Sequence, residues 1–479
     1  MISDLDLMAN AMQTNGFGPG HNPGTEVPKP ETFITRDGLQ AVTLGNHVLH
    51  AGPIRPGNDG RLWSWVDGYW QPNGHEEARK RVRAALQQRF RPSHNNTINE
   101  WLRGEEILDP NRPDFDTINC RSGLLDWRTG DLRHHDPKHL STVQLPVRWN
   151  PSATCPNIDA FLAQVVAPDA IGFIEEVIGY MIASGNPLHT AVLFLGSGRN
   201  GKGTTLRLIE QLLGPDNCAN VTPHQLADNR FAAASLYGKL ANIAGDLEAR
   251  LIERTDLFKM ATGGDSISAE HKYGQAFTFR CWATFAFSAN EAPAVRDHSE
   301  GYYARWLVVP FNQTIDTSER LPEHVLDTRL HSPAELEGLL VRAVTGLRRL
   351  MDRGRFDQPP SVLAATEKFR SDTDPVQLFL SEETHLDAEA WMPRTSFYDT
   401  YRTWCGDNGR GSLAASKFYS RLEGINGVTA AKRNGVRGFV GIGYGEAGGR
   451  RADAPTPSHA YGGKGREPAP PAPDVLGDF

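Results

Sequence analysis

The 479-residue chain carries 50 Lys and Arg against 57 Asp and Glu, a net charge of −7, with 39% hydrophobic and 22% charged residues. That balance supplies core for about three domains, excludes a chain disordered throughout, and leaves nucleic-acid contact to local basic patches rather than bulk charge. Five scattered cysteines with no CxxC pair argue against a zinc site and for a reducing compartment; with no leader pattern and no bilayer-length apolar run, the expectation is a soluble, cytoplasmic protein.

Residues 1–35, rich in Gly, Pro, Asn and Thr, are expected to lack order. Between 40 and 75, HVLHAG and LWSWVDGYWQ predict short strands around the turn signal PGNDG. Glu76–Phe90 and Asn96–Leu108 predict helices, and INCRSGLLDWRTGDLRHHDP predicts short strands about a turn at Thr129-Gly130. Helices follow at Asn157–Val166 and Asp169–Ala183, where Ile171, Ile174, Val177, Ile178 and Met181 form a core stripe. Residues 191–311 alternate strand and helix signals, the pattern of an α/β nucleotide-binding domain. A long helix over 334–354 ends at Gly354, Gln358-Pro359-Pro360 breaks the chain, and Val362–Arg370 predicts another helix. Residues 376–444 read as a small separate module, and 445–479 as a low-complexity tether.

The most informative stretch is 191–206, AVLFLGSGRNGKGTTL. Apolar Ala191–Leu195 predicts a buried strand and Leu206–Leu213 a helix. Between them, Gly196, Ser197, Gly198, Arg199, Asn200, Gly201, Lys202, Gly203, Thr204 and Thr205 make a glycine-rich phosphate loop. The glycines let backbone N–H groups turn inward, the helix N-terminus adds positive potential, and Lys202 would reach the β- and γ-phosphates, as in an NTPase or a kinase. Gly203 stands where Ser or Thr commonly holds Mg²⁺. Either Thr204 supplies the hydroxyl, or the metal keeps a water there.

Downstream, LANIAGD is an apolar strand ending in an acid, expected beside the loop's strand. Asp246 is the candidate metal ligand and Glu248 the weaker candidate base. CWATFAFSA is a further strand, ending at Asn290, whose amide could bond the attacking water or the γ-phosphate; a turn-forming Asn has the same signature. Arg305, in EGYYARWLVVPF, could reach a neighbouring subunit's site in a ring, with Arg296 the alternative and a surface ion pair the plain reading of either. Ile267–Glu270 and Ala276–Phe279 predict a hairpin with His271 and Lys272 at its tip, where a basic turn could contact DNA or simply be solvated.

Together these motifs resemble the superfamily 3 helicases, and in particular the C-terminal halves of phage and plasmid primase-helicases related to the poxvirus primase-helicase. The order that carries the resemblance is GSGRNGKGT, LANIAGD, LFKMATGGDSISAEHKYGQAFTF, FAFSANEAP, YYARWLVVPF, preceded by INCRSGLLDWRTGDL, WNPSATCPNIDAFL and IEEVIGYMIASG. The resemblance implies an α/β, AAA+-type P-loop NTPase core at 186–315. A mainly helical domain would precede it at 36–185, a helical lid or linker would follow at 316–375, and a winged-helix-like module would span 376–444. It implies an ATP- and Mg²⁺-dependent homo-hexamer translocating on single-stranded DNA, 3′ to 5′. Lys202 and Thr204 would serve in the loop, Asp246 as second acid, Asn290 as sensor and Arg305 as a finger offered in trans. Lys259 would fall in the intervening motif, and His271 and Lys272 would ride a pore-lining hairpin. Two departures stand out: Gly203 for Ser, and Asp246 for the Glu of many relatives, which could pass water activation partly to Glu248. The residues before 40 are too few for a polymerase fold, so a primase is expected to be separately encoded.

Within the module, RTSFYDTYRTWC and AASKFYSRLEGI read as helices, and GVTAAKRNGVRGFVGIGY as two strands joined by a basic turn. Lys417, Arg421, Lys432, Arg433 and Arg437 make it a candidate DNA-binding surface, or a solvated basic face. The chain closes on Asp474–Phe479, similar to the acidic docking tails of bacterial single-strand binding proteins, or an unselected end. Two other readings stay open. GKGT is also the loop of nucleoside monophosphate kinases, and an ATP-regulated initiator or loader would bind DNA without unwinding it.

Overall fold

The computed structural model describes residues 28–109, 114–272, 274, 276–313, 315 and 321–445. The expected disordered stretches before 28 and after 445, and the candidate docking tail, lie outside the described residues. Contacts divide the chain into two units: residues up to Leu378 together with Cys405–Ser412, and Phe379–Trp404 together with residues from Leu413 onward.

In the first unit, order begins before residue 36, because Phe33 is buried in the core of a small N-terminal lobe. HVLH is not a strand. It lies in a helix, Ala41–His50, because Leu44 and Val48 fall four residues apart on one face and both are fully buried. Helices Gly74–Leu86 and Pro92–Leu102 complete the lobe; the second stops short of Leu108. They pack on an antiparallel meander of Ile54–Pro56, Leu62–Val66 and Tyr69–Gln71. A second meander follows at Thr117–Cys120, Gly123–Asp126 and Leu132–Arg133. The region expected to be mainly helical therefore carries two three-stranded sheets as well.

The core of the unit is a parallel sheet. Its strands are β1 (Ala191–Leu195), β2 (Cys218–Ala219), β3 (Ala241–Leu247), β6 (Thr284–Ala289) and β7 (Trp306–Pro310), in the order β2-β3-β6-β1-β7. Helix α1 (Lys202–Leu213) follows β1 and α2 (Asp256–Gly263) follows β3. The hairpin β4 (Ser266–Glu270) and β5 (Ala276–Arg280) pairs separately from the sheet. Strands buried on both faces explain the unbroken apolar runs of β1, β6 and β7. One expectation is overturned: β3 does not lie beside β1, because the Asn-bearing β6 is inserted between them.

Beyond the sheet come α3 (Glu323–Leu330), α4 (Pro333–Arg353, capped by left-handed Gly354) and α5 (Pro360–Thr373). α4 packs against helix Ile171–Ile182 at close range. A Cβ on Gly179 would lie 2.3 Å from the Ala343 carbonyl oxygen, and one on Gly346 would lie 2.4 Å from that of Glu175. Beside this crossing, buried Glu175 bonds Arg342 and Arg349, at 2.6 and 2.9 Å, and Glu176 bonds Arg353 at 2.5 Å.

The second unit is a three-stranded antiparallel sheet, Thr384–Pro393, Val436–Tyr444 and Thr429–Arg433, the middle one central. Helix Ala415–Glu423 and the Phe379–Trp404 portion of the chain pack around Phe397, Tyr401 and Phe418; the rings of Tyr401 and Phe418 stack at 4.4 Å. The strand Thr384–Pro393 was not foreseen. Its run of Asp387, Glu389 and Ala390 has low strand propensity, and its pairing with Val436–Tyr444 decides its conformation.

Candidate functional site

Strands β1, β3 and β6 end level with one another: Ala289 is in register with Leu195 on one side and Leu247 on the other. Ligand crevices of open parallel sheets lie at such carboxyl ends. Here the residues 196–201 arch over the end of β1 into α1. Gly196 must lack a side chain, since a Cβ would lie 2.2 Å from the Phe311 carbonyl oxygen. Gly201 caps α1 with φ +87° and is pressed against Val165. Asn200 fixes the arch from inside, donating its amide to Phe311.

Lys202 opens α1 and is 95% buried, with relative exposure of 5%. Its Nζ donates to Gly196 O at 2.6 Å, Asn200 Oδ1 at 3.0 Å and Asn290 Oδ1 at 3.2 Å. Burial lowers the lysine's pKa, and the nearby Asp246 carboxylate opposes that shift. Asp246 occupies a bulge in β3, where the register slips between Ala244 and Leu247, and has φ +49°. Its N–H donates to Ser288 Oγ at 3.2 Å. The bulge re-aims the acid, as bulges near functional sites do. An exposed carboxylate thereby enters the cleft although β3 is one strand removed from the loop.

The cleft holds about 570 Å³, and its lining includes Lys202, Thr204, Asp246, Ser288 and Asn290 together with Phe161, Gln164, Leu321 and Leu326. Thr204 faces it, whereas the Thr205 hydroxyl is turned back to Gly201 O at 3.0 Å. A hydroxyl and a carboxylate are hard oxygen donors of the kind Mg²⁺ takes. Ser288, Phe161, Gln164 and Arg207 also line the cleft and were missed from sequence. Only Arg207, one helical turn after Thr204, had a spacing that could have drawn notice.

The remaining candidates are dispersed. Glu248 is exposed outside the cleft and pairs with Arg250 at 3.2 Å. Arg305 lies on the far side of β7's start, where Nε donates to Thr262 Oγ1 at 3.0 Å and Nη2 to Lys259 O at 3.4 Å. Lys259 itself bonds Asp297 at 2.7 Å. Burial alone would raise the pKa of Asp297, but hydrogen bonds from Lys259, Thr255 and Ser299 outweigh it and hold the carboxyl well below its usual range. Arg296 is an exposed partner of Glu253 at 2.7 Å. At the hairpin, His271 stacks on Phe277 at 5.1 Å, and its half-burial lowers its pKa; Lys272 is exposed.

In the second unit Lys432 and Arg437 are directly opposed across the ladder, joined by an Asn434-Gly435 turn with φ +50° and +83°. Like charges facing each other cost stability, and both are exposed, as are Arg433 and Lys417. Lys417 and Arg421 sit four apart on helix Ala415–Glu423.

Comparison with known proteins finds three family matches along the chain. The family described as "D5 N terminal like" matches residues 54–167, a family of unknown function (DUF5906) matches 194–305, and the family described as "Poxvirus D5 protein-like" matches 371–440. These matches support a likeness to the phage and viral primase-helicases. Relatives named provisionally as helicases include protein 022R of Frog virus 3 (isolate Goorha), 24% identical over 47% of this chain and 25% of the relative. Another is L207/L206 of Acanthamoeba polyphaga mimivirus, 24% identical over 63% of this chain and 34% of the relative. The chain spans only a quarter to a third of the length of these curated relatives. The apo structure of the NrS-1 C terminal region matches the fold with a TM-score of 0.50 at 12% identity, covering 84% of this chain and 99% of that one. Among the described residues, no helix is long and apolar enough to cross a membrane.

Proposed function

We propose that this protein is an ATP-dependent DNA helicase of superfamily 3 type, working as a ring of identical subunits in DNA replication. The observation that carries this reading is the convergence of Lys202, Thr204, Asp246 and Asn290 on one cleft at the carboxyl edge of a parallel sheet. The strand order β2-β3-β6-β1-β7, with the Asn strand between loop strand and acid strand, fits an AAA+-type core. The helicase names of its relatives point the same way.

In this reading the N–H groups of the loop and the α1 N-terminus bind the triphosphate. Lys202 exchanges its neutral acceptors for phosphate oxygens. Thr204 and Asp246 would hold Mg²⁺, which when bound neutralises phosphate charge. Asn290, released from Lys202, orients the attacking water. Asp246 is the better-placed acid for water activation, since Glu248 lies outside the cleft. Arg305 lies away from its own subunit's cleft, as a finger serving a neighbour's would. Its bonds to Thr262 and Lys259 hold it on a short platform of α2. The exposed hairpin tip would follow DNA phosphates, with translocation 3′ to 5′. The second unit, with its opposed Lys432 and Arg437, would act as a winged-helix-like module gripping the backbone without sequence readout. A primase and other replication proteins are the expected partners.

The test is strand displacement on a forked duplex, with and without ATP, beside sizing of the assembly. ATP-dependent displacement by a hexamer supports the reading. Hexamers that hydrolyse ATP without displacing a strand would favour a loader, and phosphoryl transfer to a mononucleotide would replace it with a kinase.

A further inference from the structure

Arg207 lies one turn past the phosphate loop, on the face of α1 that carries Thr204. Its Nη2 is 3.4 Å from Thr204 Oγ1, and the same nitrogen lies 3.4 Å from Asp327 Oδ1 and 3.1 Å from Glu323 Oε1, both on α3. A Cβ on Gly203 would stand 3.7 Å from Nη1. The guanidinium therefore overlies the position where the common loop carries its metal-binding hydroxyl. α3 in turn supplies Glu323 and Leu326 to the cleft wall. One planar cation joins the hydroxyl expected to bind the metal to two acids on the helix that walls the cleft.

We propose that Arg207 is a positioning residue that couples filling of the phosphate loop to the seating of α3. The inference rests on the nucleotide reading above. A dication held by the Thr204 oxygen would compete for its lone pairs and repel the guanidinium beside it. Arg207 would then turn its donors wholly to Glu323 and Asp327, which its fork can engage together. Filling the loop draws α3 onto the cleft, and emptying it returns part of the guanidinium's bonding to Thr204 and loosens α3. A lysine at 207 has a compact charge on a flexible stem and cannot span both acids in this way.

The experiment is hydrogen exchange of the full chain, free and with Mg²⁺ and ATP, read at the amides of 323–330, together with steady-state ATPase. In the wild type, nucleotide slows exchange across α3. Arg207→Ala removes that protection and lowers kcat/KM about ten-fold, chiefly through KM, and Arg207→Lys restores little. Glu323→Gln with Asp327→Asn, which leaves α1 intact, reproduces the loss, and combining it with Arg207→Ala adds almost nothing. Full nucleotide protection of α3 in Arg207→Ala, or effects that simply add, would overturn the coupling and leave a plain surface ion pair. A wild type that binds no ATP in the same experiment would instead overturn the nucleotide reading itself, and this inference with it.

Discussion

Replacing Lys202 with Ala removes the donor on which Gly196 O, Asn200 Oδ1 and Asn290 Oδ1 converge, at 2.6, 3.0 and 3.2 Å. All three acceptors are neutral, and burial already lowers the lysine's pKa. In the nucleotide reading the ammonium would gain a stronger partner than the free protein gives it. A hydrogen bond to a charged group contributes about 1.5–3 kcal/mol, so two phosphate oxygens would supply about 3–6 kcal/mol. At about 1.4 kcal/mol per decade, turnover should fall at least about 100-fold. The orphaned acceptors lie at the cleft, where water can replace the lysine, so the melting temperature should move by no more than about 3 °C. Coupled ATPase and binding of a fluorescent ATP analogue measure the loss. A folded variant that keeps more than about a tenth of wild-type turnover would refute the assignment of the cleft to nucleotide.

Asp246→Asn should abolish hydrolysis while sparing nucleotide binding and fold, because Asn tolerates the left-handed backbone at φ +49°; binding and turnover measured side by side will separate the two effects. Replacing both Lys432 and Arg437 with Ala should weaken single-strand binding and reduce the slope of log affinity against log salt by about 1–2, with stability unchanged or slightly raised as the opposed charges go. An unchanged slope would take the second unit off the DNA. Gly179→Ala forces a Cβ to 2.3 Å from the Ala343 carbonyl and should destabilise the first unit by about 1–3 kcal/mol in denaturant unfolding.

Much of the sheet was legible because its strands are buried on both faces. Ala191–Leu195 has the bounds its apolar run suggests, and the hairpin at 266–280 follows its alternation. What the pattern hid was set by tertiary contacts. HVLH alternates on paper, yet Leu44 and Val48 meet a core four residues apart. Strand order is not a local property, so β6 could not be seen to separate β1 from β3. Of the candidate site, the loop was readable from motif and spacing, whereas Asn290, with the signature of a turn former, stood out only through the family resemblance. The bulge that turns Asp246 into the cleft leaves no mark in LANIAGD, and Ser288, whose hydroxyl accepts the Asp246 N–H, looks like any residue of an apolar strand. Glu248 sits two residues from Asp246 but outside the bulge, and so ends at the surface with Arg250.

The most direct test of the proposed motor, with sites shared between subunits, is a mixture of two variants each expected to be inactive, Lys202→Ala and Arg305→Ala. On the proposed arrangement each alone would lack one half of every site. Randomly mixed rings rebuild an intact loop opposite an intact finger at roughly one interface in four. The account predicts that a 1:1 mixture recovers up to about a quarter of wild-type ATPase while neither parent turns over. A mixture as inactive as its parents, or an Arg305→Ala protein that hydrolyses ATP at the wild-type rate, would contradict it.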